Sequence, residues 1–324
     1  MKTLVTGATG FIGSVLVGEL VRKGHGVRAL ALPGEDASAL EAAGVEVVRG
    51  DLTVPESLRG ICAGRDAVFH LAARVTDWGS RRSFYDAILG ATRNLLAHAA
   101  GVSGRFVYIS SIAALGLGSH LKGVTESAAP RKSGVPYNDA KADTEALVRE
   151  YHESGKIDCV IVRPANVTGP GSVWVTDIVE RMRDMMVPLI DGGRHSASLV
   201  YVDSLVDGII RAGSLEAAVG KAYHFRDDWR VSWERYITDL GAMIGKRPRG
   251  AVPFRAAWAA GWLLEKTLTP FGVRASLTRL AAGVMGRDND VDTALAREEL
   301  GWGTVVSYDE AMQKIGDWVR ARYA

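Results

Sequence analysis

The chain has 324 residues, of which 47% are hydrophobic and 23% are charged, and its formal net charge is +2. A chain of this size and composition buries enough apolar surface to fold without cross-links such as disulfides. These properties exclude a disulfide mini-protein, a collagen and a disordered tail. The near balance of charge leaves no electrostatic footprint for nucleic acid, so no nucleic-acid partner is predicted.

The cysteines and the amino terminus favour an intracellular protein. Cys62 and Cys159 form no CxxC pair and are expected to be reduced thiols in the core. Residues 1–5 lead straight into a glycine motif without the apolar stretch of a signal peptide. The longest uncharged apolar run, residues 256–264, is too short to cross a bilayer. We therefore expect a cytoplasmic protein.

The first half of the chain alternates buried strands with helices. Apolar runs without polar alternation indicate strands covered on both faces, as in parallel sheets. The predicted strands lie at 2–6, 27–32, 45–48, 66–71, 105–109 and 157–162, and the helices at 11–23, from about 55, at 80–100 and at 137–154. This order predicts an α/β fold with a doubly wound parallel sheet.

After residue 164 the pattern loosens. Helices are predicted at 173–186, 203–212 and 233–244, and strands near 199–202 and at 221–226. We expect two domains. Residues 1–165, to which 199–226 return, form the sheet domain, and residues 166–198 and 227–324 form a smaller, mostly helical substrate-binding domain.

A glycine motif, Thr-Gly-Ala-Thr-Gly-Phe-Ile-Gly at residues 6–13, joins the first strand to the first helix. Gly7 permits the tight turn, Gly10 lets a pyrophosphate approach the backbone, and Gly13 lets the helix pack closely on the sheet. The N–H groups at the helix start would face the phosphates. In this strand–turn–helix context the spacing predicts a Rossmann-type dinucleotide site, with a glycine-rich turn without ligand as the alternative.

The choice between NAD and NADP depends on the end of the second strand, where an acid holds the ribose hydroxyls and an arginine the 2′-phosphate. Leu32 occupies this place, since Arg28 comes too early and the acidic pair at 35–36 comes slightly late. The lack of a placed cation favours NAD over NADP, and Leu32→Arg is predicted to shift the preference towards NADP. After the third strand, Asp51 would accept from the adenine amino group, or cap a helix.

Residues 137–141 read Tyr-Asn-Asp-Ala-Lys and open a predicted helix. Because residues i and i+4 share a helix face, Tyr137 and Lys141 point into the same space. A free tyrosine has a pKa of about 10, which a lysine ammonium and an oxidised nicotinamide would lower towards neutrality. The strand before this helix ends in Ser110 and Ser111, and a serine there can hydrogen-bond a substrate carbonyl. Together these placements predict an acid–base centre.

These motifs resemble those of extended short-chain dehydrogenases/reductases, the epimerase/dehydratase and 3β-hydroxysteroid dehydrogenase superfamily. The matching stretches cover most of residues 1–210 and lie at 6–13, 50–52, 69–73, 110–111, 137–141, 163–171 and 201–203. The resemblance implies that Tyr137 is the acid/base, that Lys141 tunes its pKa and binds ribose, and that Ser111 rather than Ser110 binds the carbonyl. The implied cofactor-binding residues are Gly7, Thr9, Gly10, Phe11, Ile12, Gly13, Leu32, Asp51, Leu52, Leu71, Ala72, Ala73, Tyr137, Lys141, Pro164, Asn166 and Val167.

The sequence departs from the family pattern before the serine strand. Members often carry Asn-Val-x-Gly-Thr there, whereas residues 87–91 read Ala-Ile-Leu-Gly-Ala. Ala87 thus lacks the amide of the usual asparagine, which puts a water relay through that side chain in doubt.

The second domain has few polar groups for a nucleotide sugar but much bulky apolar surface. This surface comprises Val173, Trp174, Met182, Met185, Met186, Trp258 and Trp262. As a set these residues favour an apolar pocket, or a lid over residues 254–285 that contacts a membrane surface, although ordinary core packing is the alternative for each. The predicted substrate-binding residues are Trp78, Ser111, Asn166 and Trp174.

Two enzyme classes fit these residues. The first is an NAD(P)-dependent oxidoreductase that interconverts a secondary alcohol and a ketone on a bulky apolar, steroid- or terpenoid-like substrate. The second is a nucleotide-sugar epimerase or dehydratase with tightly held NAD, whose diphosphate site would need cations such as Arg181, Arg183, Arg194 and Arg235. A dinucleotide-sensing scaffold is disfavoured by the Tyr/Lys pair. No metal site is predicted, and the family resemblance implies that a homodimer is common.

Overall fold

The computed structural model describes residues 1–185 and 187–323, and its centre is a seven-stranded parallel sheet. Met186, placed by sequence in the apolar set and at a helix end, lies outside the described residues. The strands are β1 (Lys2–Thr6), β2 (Gly26–Ala31), β3 (Glu46–Arg49), β4 (Arg65–His70), β5 (Ser103–Ile109), β6 (Asp158–Pro164), β7 (Asn166–Thr168), β8 (Leu189–Ile190), β9 (Leu199–Tyr201), β10 (Ala222–Phe225) and β11 (Ala251–Val252). The helices are α1 (Phe11–Arg22), α2 (Ser38–Ala42), α3 (Arg81–Tyr85), α4 (Ala91–Ala99), α5 (Pro136–Glu153), α6 (Val173–Asp184), α7 (Val202–Ser214), α8 (Trp233–Ala242), α9 (Phe254–Leu268), α10 (Arg279–Met285), α11 (Ala294–Leu300) and α12 (Tyr308–Tyr323).

The strand order creates a crevice at the carboxyl edge of the sheet. The order is β10-β6-β5-β4-β1-β2-β3, and every neighbouring pair is parallel. The direction of winding reverses between β1 and β4, whose last residues Thr6 and His70 are paired. Ligands of doubly wound sheets bind at such a reversal, beyond the carboxyl ends of the strands. The α/β Rossmann-like fold predicted from the sequence is therefore confirmed.

Both faces of the sheet are covered, which explains why the strands lack polar alternation. Val5, Phe69 and Val107 are fully buried on one face, in the cluster that includes residues of α1 and α7. Leu4 and Val68 alternate with them and are buried on the other face, in the cluster that includes residues of α4 and α5. Burial on both sides favours continuous apolar runs.

Two predicted helices differ from the structure. The helix predicted over residues 80–100 is divided into α3 and α4 by a π-helical turn at Asp86–Gly90. The hydroxyl of Thr92 donates to Ile88 O at 2.6 Å, a backbone interaction typical of bent or irregular helices. The helix predicted from about residue 55 is a single 3₁₀ turn at Pro55–Leu58.

The remaining elements form two short sheets and a helical layer beside the carboxyl edge. β7 pairs with β9 and β8 pairs with β11. Segment 199–226 contributes strands to two sheets. Its strand Ala222–Phe225 pairs with β6 at the edge of the main sheet, whereas Leu199–Tyr201 pairs with β7 in a short sheet. Trp233 and Tyr236 of α8 centre a separate apolar cluster in the helical layer. Among the described residues, no helix is both long and apolar enough to cross a membrane.

Candidate active site

In the loop between β1 and α1, the glycine positions Gly7 and Gly13 leave no room for a side chain. Gly7 has a φ of +69°, and a Cβ there would lie 2.8 Å from Ala72 N. A Cβ on Gly13 would lie 2.0 Å from Gly7 O, so this glycine lets α1 begin directly against the loop. Gly10 is the N-cap residue of α1 and offers no side-chain hydrogen bond to the helix. The first N–H groups of α1 are therefore available for an anion, as a pyrophosphate site requires.

An acidic residue, Glu35, reaches the end of β2. Its carboxylate accepts from Thr9 Oγ1 at 2.5 Å and from Leu32 N at 2.9 Å. The chain folds back here because Glu35 N donates to Leu32 O at 3.1 Å and Gly34 has a φ of +81°. A proline followed by a glycine at this φ is the signature of a type II turn. By sequence separation the acidic pair at 35–36 comes slightly late for the strand end, but the Pro33-Gly34 turn brings Glu35 back to it.

The segments that follow β3 and β4, residues 50–52 and 71–73, complete the edge of the predicted cofactor site, which we call the cofactor rim. Ala72 N donates to Thr6 Oγ1 at 3.3 Å, which holds this segment against the glycine loop. Asp51 Oδ1 accepts from the backbone N–H of Thr53 at 2.8 Å, so the carboxylate shapes its own loop rather than capping the turn at Pro55–Leu58. Leu52 is buried under α4, whose Asn94 donates to its carbonyl at 2.8 Å.

The three predicted catalytic residues lie beyond the carboxyl end of β5. Ser111 caps a 3₁₀ turn, and its hydroxyl accepts from Ala113 N at 3.1 Å. Tyr137 lies in the first turn of α5, and Lys141 follows one turn later, as the spacing predicts. The Lys141 ammonium donates to Ile109 O at 2.6 Å and lies 4.8 Å from the ring centre of Tyr108. This fixes the lysine at the end of the serine strand.

Burial shifts the pKa values of both titratable groups. Burial raises the pKa of Tyr137 to about 12, while its interaction with the Ser111 side chain acts in the opposite direction. Burial lowers the pKa of Lys141 to about 7, and the negative charge of Glu145 opposes that shift. The Tyr/Lys spacing predicts a lowered pKa for Tyr137. The protein residues alone produce the opposite direction because Lys141 is bonded to a strand carbonyl and desolvation dominates.

A buried polar network that was not predicted from the sequence lies behind Lys141. Arg163 and Glu145 are fully buried and form a paired ion bridge, with Nη2–Oε2 at 2.7 Å and Nε–Oε1 at 2.9 Å. Ser110 donates to the same Glu145 carboxylate at 2.6 Å. The hydroxyl proton of Ser110 is thus used in the bond to Glu145, and Ser111 is the serine that interacts with Tyr137. The Arg-Pro at the end of β6 and a glutamate one turn after Lys141 were the available signals.

The candidate substrate side is a narrow apolar cleft at Tyr137. A cavity of about 30 Å³ is lined by Asp77, Trp78, Gly79, Phe84, Val135, Pro136, Tyr137, Glu265, Thr269 and Leu280. The rings of Phe84 and Tyr137 meet edge to face with their centres 6.3 Å apart. A larger surface hollow of about 510 Å³ contains none of the predicted site residues and is lined by Arg183, Met243, Ile244, Lys246, Val319, Arg320 and Tyr323.

Two of the predicted substrate residues lie elsewhere in the packing. Trp174 packs on Trp233, with ring centres 5.3 Å apart, in the apolar cluster of the helical layer. The Asn166 amide donates to Ala197 O at 2.7 Å, so it ties β7 to the segment before β9. Val167 O accepts from Ser172 at 2.8 Å. Pro164 is buried at the carboxyl end of β6.

The cations suggested for a diphosphate site are dispersed. Arg181 lies 3.8 Å from Asp77, and Arg194 lies 3.4 Å from Asp191. Arg235 pairs with Asp239 of its own helix, and Arg183 stacks on a terminal tyrosine ring. They form no common cluster in the structure.

The sequence predicts no metal site, yet the described residues contain one group of metal-ligating types. Ligand atoms of His120, His195 and Asp288 all lie within 4.8 Å of one another. The Asp288 carboxylate is 3.1 Å from a ring nitrogen of each histidine, which are hydrogen-bond distances. The group joins the loop after β5 to the chain segments after β8 and α10.

Comparisons with known proteins find reductases and an epimerase that are similar over nearly the whole chain. The chain is 31% identical to the 4-hydroxy-2-methyl-3-oxo-4-farnesyl-3,4-dihydroquinoline-1-oxide ketoreductase of Stigmatella aurantiaca, over 97% of this chain and 96% of that protein. It is 30% identical to the 2-alkyl-3-oxoalkanoate reductase of Stenotrophomonas maltophilia, over 97% of this chain and 98% of that protein. The UDP-glucose 4-epimerase of Thermotoga maritima shares the fold with a TM-score of 0.79 at 23% identity, over the full length of both chains.

The family model described as the NAD dependent epimerase/dehydratase family matches residues 3–224. This match spans the glycine loop, the serine strand and the Tyr/Lys helix, and the reductase relatives extend it over nearly the whole chain. The protein is therefore an enzyme and an oxidoreductase that uses a nicotinamide cofactor. The chain belongs to the NAD-dependent epimerase/dehydratase family, as an extended short-chain dehydrogenase/reductase.

Proposed function

We propose that the protein reduces a ketone on a bulky, largely apolar molecule, steroid- or terpenoid-like in its bulk, and also runs the reverse oxidation. The observation that carries the proposal is the position of Tyr137, which lies beside Ser111 and Lys141 and also lines the cleft with Trp78 and Phe84. A ketone oxygen at the tyrosine would thus have its carbon skeleton among aromatic rings. The farnesyl and alkyl groups in the names of the two reductase relatives are apolar groups of this kind.

The residues present fit a dinucleotide at the crevice. The backbone of Gly7, Gly10 and Gly13 and the uncapped start of α1 would hold its pyrophosphate, since a Cβ in this loop would collide with protein atoms. When bound in its reduced form, the nicotinamide supplies the hydride for the carbonyl carbon. Tyr137 and Lys141 would complete the site on the α5 side.

The protein groups act on the carbonyl oxygen. Ser111 would donate a hydrogen bond to this oxygen, and Tyr137 would donate its proton as the carbonyl becomes an alkoxide. A tyrosine with a pKa of about 12 holds its proton at neutral pH, which suits the reductive direction. Lys141 would stabilise the tyrosinate left behind when the ammonium is charged. One ketone, one hydride and one proton give one alcohol.

We further propose NAD rather than NADP as the cofactor. Glu35 places a carboxylate between Thr9 of the glycine loop and the end of β2, where the adenosine ribose of a Rossmann-bound dinucleotide lies. A carboxylate there accepts from ribose hydroxyls and repels a 2′-phosphate. The same position makes Leu32, whose side chain is 49% exposed, the site at which arginine should favour NADP.

An activity assay with a tyrosine variant tests the proposal. NADH oxidation by the wild type and by Tyr137→Phe is followed with trans-1-decalone, a bulky apolar ketone. The variant should lose at least about 10³-fold in kcat because it lacks the transferable proton, while NAD binding measured by calorimetry stays within about twofold. Tyr151→Phe, on the same helix but away from the cleft, is the matched control.

Turnover that survives in Tyr137→Phe contradicts this mechanism. Near-stoichiometric NAD retained by the purified wild type, without ketone reduction, would instead support the epimerase alternative, because an epimerase returns the hydride to its own product. The dispersal of the four candidate diphosphate cations weighs against that alternative.

We propose in addition that the outer end of α9 contacts a membrane surface from which an apolar substrate is taken. Trp262, Leu263 and Phe271 expose 47%, 55% and 82% of their surface, and Lys266 lies 5.1 Å from the Trp262 ring centre. Exposed aromatic rings next to a cation suit an anionic lipid interface. Co-sedimentation with vesicles containing phosphatidylglycerol tests this, and equal recovery of Phe271→Ser and wild type in the pellet contradicts it.

A further inference from the structure

Arg74 is a partly buried cation beside the candidate active site. It follows Ala73 at the cofactor rim, and its Nε is buried without a hydrogen-bond partner among the described residues. Its guanidinium carbon lies 5.7 Å from the ring centre of Phe84 and 6.0 Å from that of Trp78. Both rings line the cleft that contains Tyr137.

The carboxylates near Arg74 are bound to other partners. Asp77 accepts from Arg274 at 2.8 Å, and Glu265 pairs with Arg279 at 2.7 Å. Across the part of the chain that the structure describes, no carboxylate lies within ion-pair distance of Arg74. Stacking on aromatic faces favours a guanidinium but leaves its N–H donors unsatisfied. A buried N–H donor such as Nε of Arg74 is costly to leave without an acceptor, and an anion is a strong acceptor for a guanidinium.

The backbone at Gly79 is shaped around this guanidinium. A Cβ on Gly79 would lie 3.1 Å from Arg74 Nη2 and 3.2 Å from its Nε, and Gly79 has a φ of +139°. Any other residue would both strain this backbone and press on the arginine. Arg74 therefore packs directly behind Gly79, Trp78 and Phe84, which line the cleft.

We infer that Arg74 binds the carboxylate of the substrate, so that the substrate class is an apolar keto acid. The inference deepens the proposed function and rests on it. Phe84 contacts Arg74 on one side and Tyr137 on the other, so a ketone at Tyr137 and a carboxylate at Arg74 are the two polar ends of one molecule. Arginine suits this task because its planar fork matches the two carboxylate oxygens.

A phosphate of the dinucleotide is the other anion that could reach this rim. The substrate carboxylate is favoured because the two rings on Arg74 belong to the cleft of Tyr137, whereas the pyrophosphate is assigned to the glycine loop on the far side of Ala72. The two anions are separable by experiment, since each predicts a different ligand whose binding Arg74 would control.

Calorimetry with simple probes tests the assignment. Octanoate and octanamide have the same length and differ in charge, and each is titrated into the full-length protein saturated with NAD. The wild type should bind octanoate at least about tenfold more tightly, as loss of a charged hydrogen bond predicts. Arg74→Met should reduce this ratio to near one, and Arg74→Lys should keep part of it. Arg82→Met, which alters an exposed arginine of the same segment, should leave the ratio unchanged.

Three outcomes overturn the inference. The first is a wild-type ratio near one, and the second is a ratio that survives in Arg74→Met. The third is a tenfold loss of NAD affinity in Arg74→Met with the ratio preserved, which assigns the arginine to the cofactor phosphate. Because binding is measured rather than turnover, failure of the wild type to reduce ketones would contradict the proposed function and not this assignment.

Discussion

Among single residues, Glu35 gives the sharpest prediction about cofactor choice. Its carboxylate accepts hydrogen bonds from Thr9 Oγ1 and Leu32 N, so its negative charge has a fixed position at the predicted ribose site. Glu35→Gln keeps the shape and removes the charge that would oppose a 2′-phosphate. The NADP-to-NAD ratio of dissociation constants should fall about 10- to 100-fold in this variant. Calorimetry with both dinucleotides measures it.

The neighbouring acid is the control for this experiment. Asp36 is exposed, and its carboxylate accepts from Ser38 N at 3.0 Å within its own loop. Asp36→Asn removes the same charge a residue away and should leave the ratio unchanged. If the two variants behave alike, general electrostatics and not the placement of Glu35 governs the choice.

The two adjacent serines at the end of β5 should differ in what their substitution costs, which is catalytic rate for one and stability for the other. Ser111 interacts with Tyr137, so Ser111→Ala should lower kcat about 10²-fold with little change in unfolding free energy. Ser110 donates to buried Glu145, so Ser110→Ala should cost about 1–3 kcal/mol of stability. Steady-state kinetics and urea unfolding on both variants separate the roles. A larger loss of kcat in Ser110→Ala than in Ser111→Ala would reverse the assignment.

Sequence alone reaches some of these residues and not others for physical reasons. Gly7 and Gly13 were predictable because only glycine fits where a Cβ would meet backbone atoms. The distance of Glu35 from the strand end was misjudged because sequence separation ignores a turn that reverses the chain. Arg74 could not be found at all, since an arginine is exceptional only when its surroundings lack a carboxylate, and that is a property of packing.

Between elements, the buried pair of Glu145 and Arg163 joins α5 to β6 directly behind Lys141. Both side chains are fully buried. Arg163→Met should cost about 3–5 kcal/mol because it leaves a buried carboxylate without its counter-charge. The double variant Glu145→Leu/Arg163→Met should cost less than the sum of the two single changes. Urea unfolding of all four proteins measures the coupling, and strict additivity would show that the pair acts only through packing.

At the same scale, the strands of the main sheet were predictable, whereas two helices differ from the prediction and the short strands β7, β8 and β11 were not predicted. The strand predicted at 2–6 has those bounds in the structure, and the others lie within about two residues, because burial on both faces forces apolar runs. The π-helical turn at Asp86–Gly90 leaves the amphipathic pattern nearly intact. The Thr92 hydroxyl bonds to Ile88 O within this turn, and a periodicity argument detects neither the bond nor the extra residue in the turn.

For the whole molecule, two buried histidines predict sensitivity to acid. Burial lowers the pKa of His70 to about 3, and burial with the charge of Arg163 lowers that of His224 to about 3. The unfolded chain takes up protons at these positions near pH 6.5, whereas the folded protein does not until about pH 3. Stability therefore falls as the pH drops from 6.5 towards 3, by about 1.4 kcal/mol per pH unit for each histidine.

One group works in the opposite direction. Burial raises the pKa of Asp227 to about 6, so the folded protein binds a proton there between pH 6 and 3.8 before the unfolded chain does. It offsets one histidine over that window. A comparison of variants is therefore sharper than the wild-type curve alone.

His70 offers that comparison because its bonds define its protonation. Thr92 gives its only proton to Ile88 O at 2.6 Å, so it must accept from His70 Nε2, and Nδ1 accepts from Thr6 at 2.7 Å. A second ring proton on Nδ1 would face the Thr6 hydroxyl, where no solvent reaches it.

His70→Gln should make the slope of unfolding free energy against pH shallower by about 1.4 kcal/mol per unit between pH 6 and 4. Thr92→Val breaks a bond of the same network without removing the titrating ring, so it should lower stability at every pH while keeping the wild-type slope. Equal slopes in His70→Gln and wild type, measured by urea unfolding across this range, would show that His70 is charged in the folded protein.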